Sequence, residues 1–204
     1  TFAPATDVPV PAEYVIGPGD QIQVQLFGNA NKNYALTVGR DGQINFPELG
    51  PISVAGLTFA EMRRDIEERI ARQMIGVQAA VNVGETRSIR IFVLGDAERP
   101  GSYTVSGLST MTNALFASGG VKQIGSLRNI QLKRQGKVVT TLDLYDLLLR
   151  GDTSADARLL PGDVIFIPPV GPTVAVSGQV HRPAIYEIRS AATVEDLLQL
   201  AGGL

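Results

Sequence analysis

Val93–Val121 reads VLGDAERPGSYTVSGLSTMTNALFASGGV, and Val176–Leu204 reads VSGQVHRPAIYEIRSAATVEDLLQLAGGL. The second stretch follows the first at a constant offset of 83 residues, without a gap. Val93, Gly95, Arg99, Pro100, Tyr103, Thr110, Leu115, Gly119 and Gly120 each return as the same residue type. An offset that keeps turn residues and apolar positions together marks a duplicated structural unit. Arg99-Pro100 reads as a turn and Tyr103–Val105 as a strand. Thr110 then caps a short helix with Met111, Ala114, Leu115 and Ser118 on one side. The second copy places Val194, Leu197, Leu198 and Ala201 there, with Thr193 and Asp196 in a capping arrangement. Both helices are expected to stop at Gly-Gly. The two copies should therefore follow the same strand-turn-strand-helix path.

The first copy continues with strand-like runs at Asn129–Lys133 and Lys137–Leu142. A helix follows, capped by Asp143, with Leu144, Leu147 and Leu148 facing the core and Gly151 at its stop. Asp152–Arg158 is a loop. Leu159–Pro168, LLPGDVIFIP, enters a strand through Pro161-Gly162-Asp163. Pro168–Pro172 reads as a short stiff linker. The unit is then strand, strand, helix, strand, strand, helix, strand, an α+β arrangement with a small mixed sheet.

Upstream, Thr1–Glu13 is a Pro- and Ala-rich extended lead-in. In YVIGPGDQIQVQLFG, Pro18-Gly19 fits the centre of a type II turn, and Ile22, Val24 and Leu26 alternate with glutamines as in a half-buried strand. Asn29–Asn33 is a polar loop. Tyr34–Val38 and Gln43–Phe46 are expected to pair as a hairpin through Arg40-Asp41-Gly42. Thr58 and Glu61 form a capping box at the start of a helix whose apolar stripe is Phe59, Met62, Ile66 and Ile70. Two more strand-like runs, Val77–Val83 and Ile89–Leu94, flank the first domain boundary. The expected division is a lead-in at 1–13, a first domain at 14–88, a second at 89–169, and the start of a third at 173–204.

The chain has 204 residues, a formal net charge of -2, no Cys and one His. Those counts exclude a thiolate zinc site, a disulfide framework, a Cys nucleophile and a Cys-ligated cluster. Lys and Arg form no basic block, which argues against a nucleic-acid surface. No apolar run approaches the about 18 residues of a membrane helix.

At these motifs the chain resembles the bacterial outer-membrane polysaccharide export proteins of capsule and exopolysaccharide systems. The G-P-G-D entry to a strand (Gly17, Pro18, Gly19, Asp20), the hairpin residues Asp41 and Gly42 followed by Pro47, and the G-L-T helix start resemble the export domain over about Tyr14–Val83. The duplicated unit resembles the soluble-ligand-binding β-grasp (SLBB) domains that follow it. It does so through Gly95, Pro100, Tyr103, Gly119, Gly120 and the closing Pro161, Gly162 and Asp163. Ala184 stands where the family has Gly, so a type II turn is less expected there. The resemblance implies a non-catalytic periplasmic part of an outer-membrane channel in a Gram-negative bacterium. It implies polysaccharide as cargo, a homo-oligomeric ring in the full-length parent, an inner-membrane polysaccharide co-polymerase as partner, and no cofactor or metal. Many members of the family carry an acylated N-terminal Cys and a C-terminal membrane helix, so this chain reads as a periplasmic portion of a longer precursor, with either feature left open for the parent. It is expected to be mainly monomeric alone, since helix stripes and strand faces account for its apolar positions.

The residues support several other chemistries less well. Gly17–Asp20 lacks the third Gly, the Lys-Ser/Thr and the following helix of a phosphate loop. Asp20 and Asp163 could be paired acids, but each sits in its own unit as an acceptor for turn amides. His181 would have to serve any Ser-His-Asp arrangement, yet its counterpart is Glu98. Tyr103 and Tyr186 are candidates for stacking on sugar rings, with core filling as the alternative. The competing function is a periplasmic ligand- or glycan-binding scaffold without a channel. His181→Ala should fold normally and leave export by the parent protein unchanged. Thermal melting and a surface-polysaccharide assay check this, and a hydrolytic activity lost on that substitution would contradict it.

Overall fold

The computed structural model describes residues 9–189 and 192–203. Of the expected lead-in, Thr1–Val8 lie outside the described residues. The chain forms two compact units, the first built from residues up to Ser88 with Ser106–Leu108, the second from Ile89–Val105 and residues from Ser109 onward.

In the first unit β1 (Gln21–Gly28) lies between β2 (Lys32–Thr37) and β5 (Val77–Val83), antiparallel to both. Ile22, Val24 and Leu26 are buried while Gln23 and Gln25 face out, as the alternation requires. Strand β2 starts at Lys32, so part of the expected Asn29–Asn33 loop is already paired with β1. The turn at Asp41-Gly42 forms, with the Gln43 amide donating to Asp41 Oδ1 at 3.2 Å. It does not close the expected hairpin. Strand β3 (Gln43–Phe46) pairs with β4 (Gly50–Ser53) as a separate two-stranded sheet, while β2 stays on β1. The reason is burial: Ile44 and Phe46 of β3 face Ile52 and the shared core, which a continuation of β2 could not achieve. Pro47 occupies the second position of the turn between β3 and β4, closed by the Leu49 amide on Phe46 O.

Helix α1 (Phe59–Gln73) buries Phe59, Met62, Ile66 and Ile70, the stripe read from the sequence. Its capping box is formed, with Thr58 Oγ1 accepting from the Glu61 amide and Glu61 Oε2 accepting from the Thr58 amide. The Thr58 amide and hydroxyl hold the Glu61 carboxyl below its ordinary pKa. Its contribution to the helix is therefore complete at neutral pH and is lost as pH falls through the lowered value.

In the second unit β6 (Ser88–Gly95) and β10 (Val164–Ile167) run parallel at the sheet centre. Around them the order is β7 (Gly101–Ser106), β6, β10, β8 (Ile130–Arg134) and β9 (Lys137–Leu142). With α2 (Met111–Ala117) and α3 (Leu144–Arg150) this is the strand-helix sequence expected, in a mixed sheet. Ile89, Ile91, Val93, Met111, Leu115, Ile130, Leu132, Ile165 and Ile167 form its core. Gly95 has φ +82, and a Cβ there would stand 2.1 Å from Ile167 O, so only glycine lets β10 lie this close.

The second copy supplies β11 (Thr173–Val176), β12 (Ala184–Glu187) and α4 (Val194–Leu200). Helices α2 and α4 have the same bounds once the offset is applied, each with a capping box from Thr110 or Thr193. Gly101 begins β7 with φ 159, an almost extended value, and Ala184 begins β12 without difficulty. Three apolar expectations fail. Val194, read on the inner side of α4, is 74% exposed, and the helix buries Leu200 instead. Leu148 is 64% exposed, because α3 is a single turn pair that buries Leu144 and tucks in Leu147. The open face of the five-stranded sheet also leaves Phe92 and Leu94 37% and 40% exposed beside half-buried Val164 and Phe166. Not every apolar position is absorbed by a core.

Each unit is closed by the same turn. Asp20 accepts from the Gly17 amide at 2.8 Å, and its own amide donates to Gly17 O across Pro18 and Gly19, the latter at φ +95. Asp163 accepts from the Leu160 amide at 2.8 Å in the same way, across Pro161 and Gly162 at φ +84. These are the type II turns read from Pro-Gly. Both carboxylates are fully buried, and each meets an arginine. Arg87 Nη1 donates to Asp20 at 2.6 Å, and its backbone amide donates at 2.7 Å, with the Tyr14 hydroxyl at 2.8 Å. Arg134 grips Asp163 with Nε and Nη2, both at 2.8 Å, which raises the Arg134 pKa. Every group facing these carboxylates is a donor, so an Asn amide in their place would set donor against donor. Asp20→Asn should cost about 2 kcal/mol or more and speed hydrogen exchange across 14–83, and Asp163→Asn should do the same across 89–167. Exchange rates changed in the opposite unit alone would contradict the assignment.

Candidate functional site

The motif residues gather at turns and caps rather than in one cleft. Gly17–Asp20 and Pro161–Asp163 form the two closing turns, and Asp41, Gly42 and Pro47 shape the turns around β3. Gly119 and Gly120 have φ of +90 and +93, and Gly202 and Gly203 both have φ +86. The backbone that follows is the same in both copies. The Arg99 amide donates to Ser118 O and the Glu98 amide to Gly120 O; the Arg182 amide donates to Ala201 O and the His181 amide to Gly203 O. The pattern ties the residues just before Pro100 and Pro183 to the end of the helix.

The tyrosines recur in role as well as place. The Tyr103 hydroxyl donates to Arg99 O, and the Tyr186 hydroxyl donates to Arg182 O at 2.6 Å. Tyr186 is buried, edge-on to Tyr145 with ring centroids 6.2 Å apart. Tyr103 is half-buried against the second core. Both hydroxyls are committed to the turn they brace. His181 is exposed, with Nδ1 3.0 Å from Gly202 O, and occupies the turn position that Glu98 fills in the first copy.

The charged residues that come together across the two copies were not legible beforehand. Asp143 caps α3 through the Tyr145 amide at 2.8 Å and also accepts from Arg128 Nε at 3.0 Å and Arg189 Nη2 at 2.8 Å. Arg189 reaches Asp146 as well, at 2.8 Å. The two aspartates raise the Arg189 pKa, Asp143 more than Asp146. Arg128 lies over the Tyr145 ring, 4.8 Å from its centroid, and burial raises the Tyr145 hydroxyl pKa. A cavity of about 370 Å³ opens beside them, lined by Arg128, Asp143, Asp146, Asp152, Ser154 and Arg189. Asp143, Asp146, Arg128 and Arg189 are spent on one another, which suits holding two repeats together better than proton transfer. Among the described residues no group of three or more His, Asp or Glu is placed to hold a metal ion, and no helix is long and apolar enough to cross a membrane.

Sequence comparison accounts for this organisation. Residues 8–84 match the polysaccharide biosynthesis/export protein family, and residues 89–167 and 173–204 each match an SLBB domain. The chain is 29% identical over 182 residues to the polysialic acid transport protein KpsD of Escherichia coli, covering 88% of this chain and 32% of that protein. It is 33% identical over 190 residues to the EPS I polysaccharide export outer membrane protein EpsA of Ralstonia nicotianae, covering 91% of this chain and 50% of that protein. The chain thus spans a third to a half of the length of these relatives. With its export domain followed by successive SLBB domains, it belongs to the polysaccharide export protein family.

Proposed function

We propose that this chain is the periplasmic part of an outer-membrane channel that passes a capsular or extracellular polysaccharide through a ring of identical protomers. The observation that carries the reading is the domain order, an export domain followed by SLBB domains, in a chain similar over 88 to 91% of its length to proteins named for polysaccharide transport and export. The division we assign is an export domain at 14–88, a first SLBB domain at 89–169 and the start of a second at 173–204. The family-motif residues serve as turns and caps. The role is non-catalytic, since the conspicuous acids, Asp20 and Asp163, are each locked to an arginine inside their own unit. The polymer's movement needs many weak contacts, because tight binding would stall it. The partners are the polysaccharide, further copies of the chain, and an inner-membrane polysaccharide co-polymerase.

Assembly in this reading rests on individually weak contacts multiplied over many protomers on one membrane. The exposed Phe92 and Leu94 are suited to such a contact. The fold does not require them, since the second copy carries Ala175 and Ser177 at the matching positions.

Deleting the full-length parent from its host should abolish surface polysaccharide while polymer accumulates inside; unchanged surface polymer would favour the scaffold alternative. In light scattering across a concentration series, the present chain should be mainly monomeric when dilute and associate weakly when concentrated. Phe92→Ala with Leu94→Ser should weaken that association while leaving the melting curve near wild type. A stable ring from a chain ending near Pro169 would refute the weak-contact assembly.

A further inference from the structure

Glu187 is a buried carboxylate, 6% exposed, in the strand β12 that the second copy contributes. All of its side-chain partners come from outside that copy. The Ser126 hydroxyl and the Gly171 amide donate to Oε1 at 2.6 and 2.9 Å. The Leu127 and Arg128 amides donate to Oε2 at 2.8 and 3.2 Å. Ser126 Oγ in turn accepts from the Arg128 and Asn129 amides, at 3.2 and 2.9 Å, which turns successive N–H groups toward one side. Converging backbone amides of this kind make a concave anion site. A Cβ at Gly171 would stand 3.2 Å from Glu187 Oε1, so the bare backbone there admits the carboxylate closely. The backbone of Glu187 is held as well: its amide donates to the Tyr145 hydroxyl at 2.9 Å, and its carbonyl accepts from Arg128 Nη1 at 3.3 Å.

The duplication shows that this arrangement is not a need of the repeat fold. The counterpart of Glu187 in the first copy is Thr104, an exposed residue of β7, and the counterpart of Arg189 is Ser106. A carboxylate at this position therefore serves something the first copy lacks, which is a preceding copy to lie against. Four donors and no acceptor face its two oxygens, two to each. That set fits a planar carboxylate and satisfies a charge whose burial would otherwise be costly.

The geometry assigns to Ser126, Leu127, Arg128 and Gly171 a carboxylate-binding site, filled in cis by Glu187, that latches the second copy onto the first. The ligand class is a single carboxylate. The latch stands independently of the export reading, since every group in it lies within the second unit.

The test uses the whole chain with Glu187→Ala, Glu187→Gln and Ser126→Ala, read by amide resonances, hydrogen exchange and tryptic cleavage after Arg189. In Glu187→Ala the Leu127 and Gly171 amides should exchange at least about tenfold faster, as expected for losing hydrogen bonds to a charged acceptor. Cleavage after Arg189 should accelerate while resonances of the first copy's core stay in place. Sodium formate should shift the Leu127, Arg128 and Gly171 resonances of Glu187→Ala saturably and leave wild type unmoved; sodium chloride at the same ionic strength should do neither. Glu187→Gln and Ser126→Ala, each missing part of the donor-acceptor set, should loosen the second copy to a lesser degree. Wild-type exchange and cleavage in Glu187→Ala, or formate without a saturable shift, would overturn the proposal. Loss of the first copy's fold in Glu187→Ala, with the second copy unloosened in Ser126→Ala, would overturn it too, by showing that the carboxylate supports a core instead of a junction.

Discussion

Asp20 and Asp163 are fully buried charges, and the structure around each is arranged to make that possible. A carboxylate removed from water is tolerated only when its oxygens are met by donors and its charge by a cation. Each aspartate turns back to the amide three residues earlier, and this fixes the turn that aims the following strand. Each also needs an arginine from a distant stretch, Arg87 or Arg134, so the turn is complete only when the unit around it has closed. Local geometry and tertiary closure are thus one interaction. A motif that looks like a loop for ligand chemistry serves as the fastener of a fold.

The duplication separates what the fold needs from what one copy adds. Thr110 and Thr193, the glycine pairs, and the tyrosine hydroxyls on Arg99 and Arg182 carbonyls are common to both copies and brace the same turn. Phe92, Leu94, Glu187 and Arg189 have no such twin, and they lie on an open sheet face or at the junction between the copies. Features absent from the duplicate are where function beyond folding is to be sought.

Most of the elements could be read from local pattern. The α1 stripe, its capping box and the matched helices α2 and α4 follow from spacing and cap chemistry alone, which involve residues within one turn of each other. Partnerships over long separations were not legible. The type II turns at Pro18 and Pro161 announced themselves, but nothing nearby pointed to Arg87 or Arg134, since any exposed-looking arginine could have filled that place. The Asp41-Gly42 turn illustrates the same limit: its residues specify a reversal, while the pairing of β3 with β4 was decided by where Ile44 and Phe46 could be buried. Leu148 was misplaced because α3 meets the core through Leu144 and Leu147 alone, which leaves the next position facing out. The Glu187 junction carried no local signal other than a charged residue in an otherwise apolar strand.

The parallel pairing of β6 with β10 also governs the order in which the chain can fold as it is made. Phe92 and Val164 are neighbours in space at opposite ends of the first copy. The β8–β9 hairpin can form from adjacent sequence, but the central strand pair must wait for the last strand of the copy, a slow, non-local closure. The first unit waits similarly, since the arginine that meets the Asp20 charge lies 67 positions later. Until Ile167 has emerged, Ile89, Ile91 and Val93 lie along a sheet edge with no neighbour on one side, and it is in this interval that the nascent chain is most exposed to strand addition from another molecule.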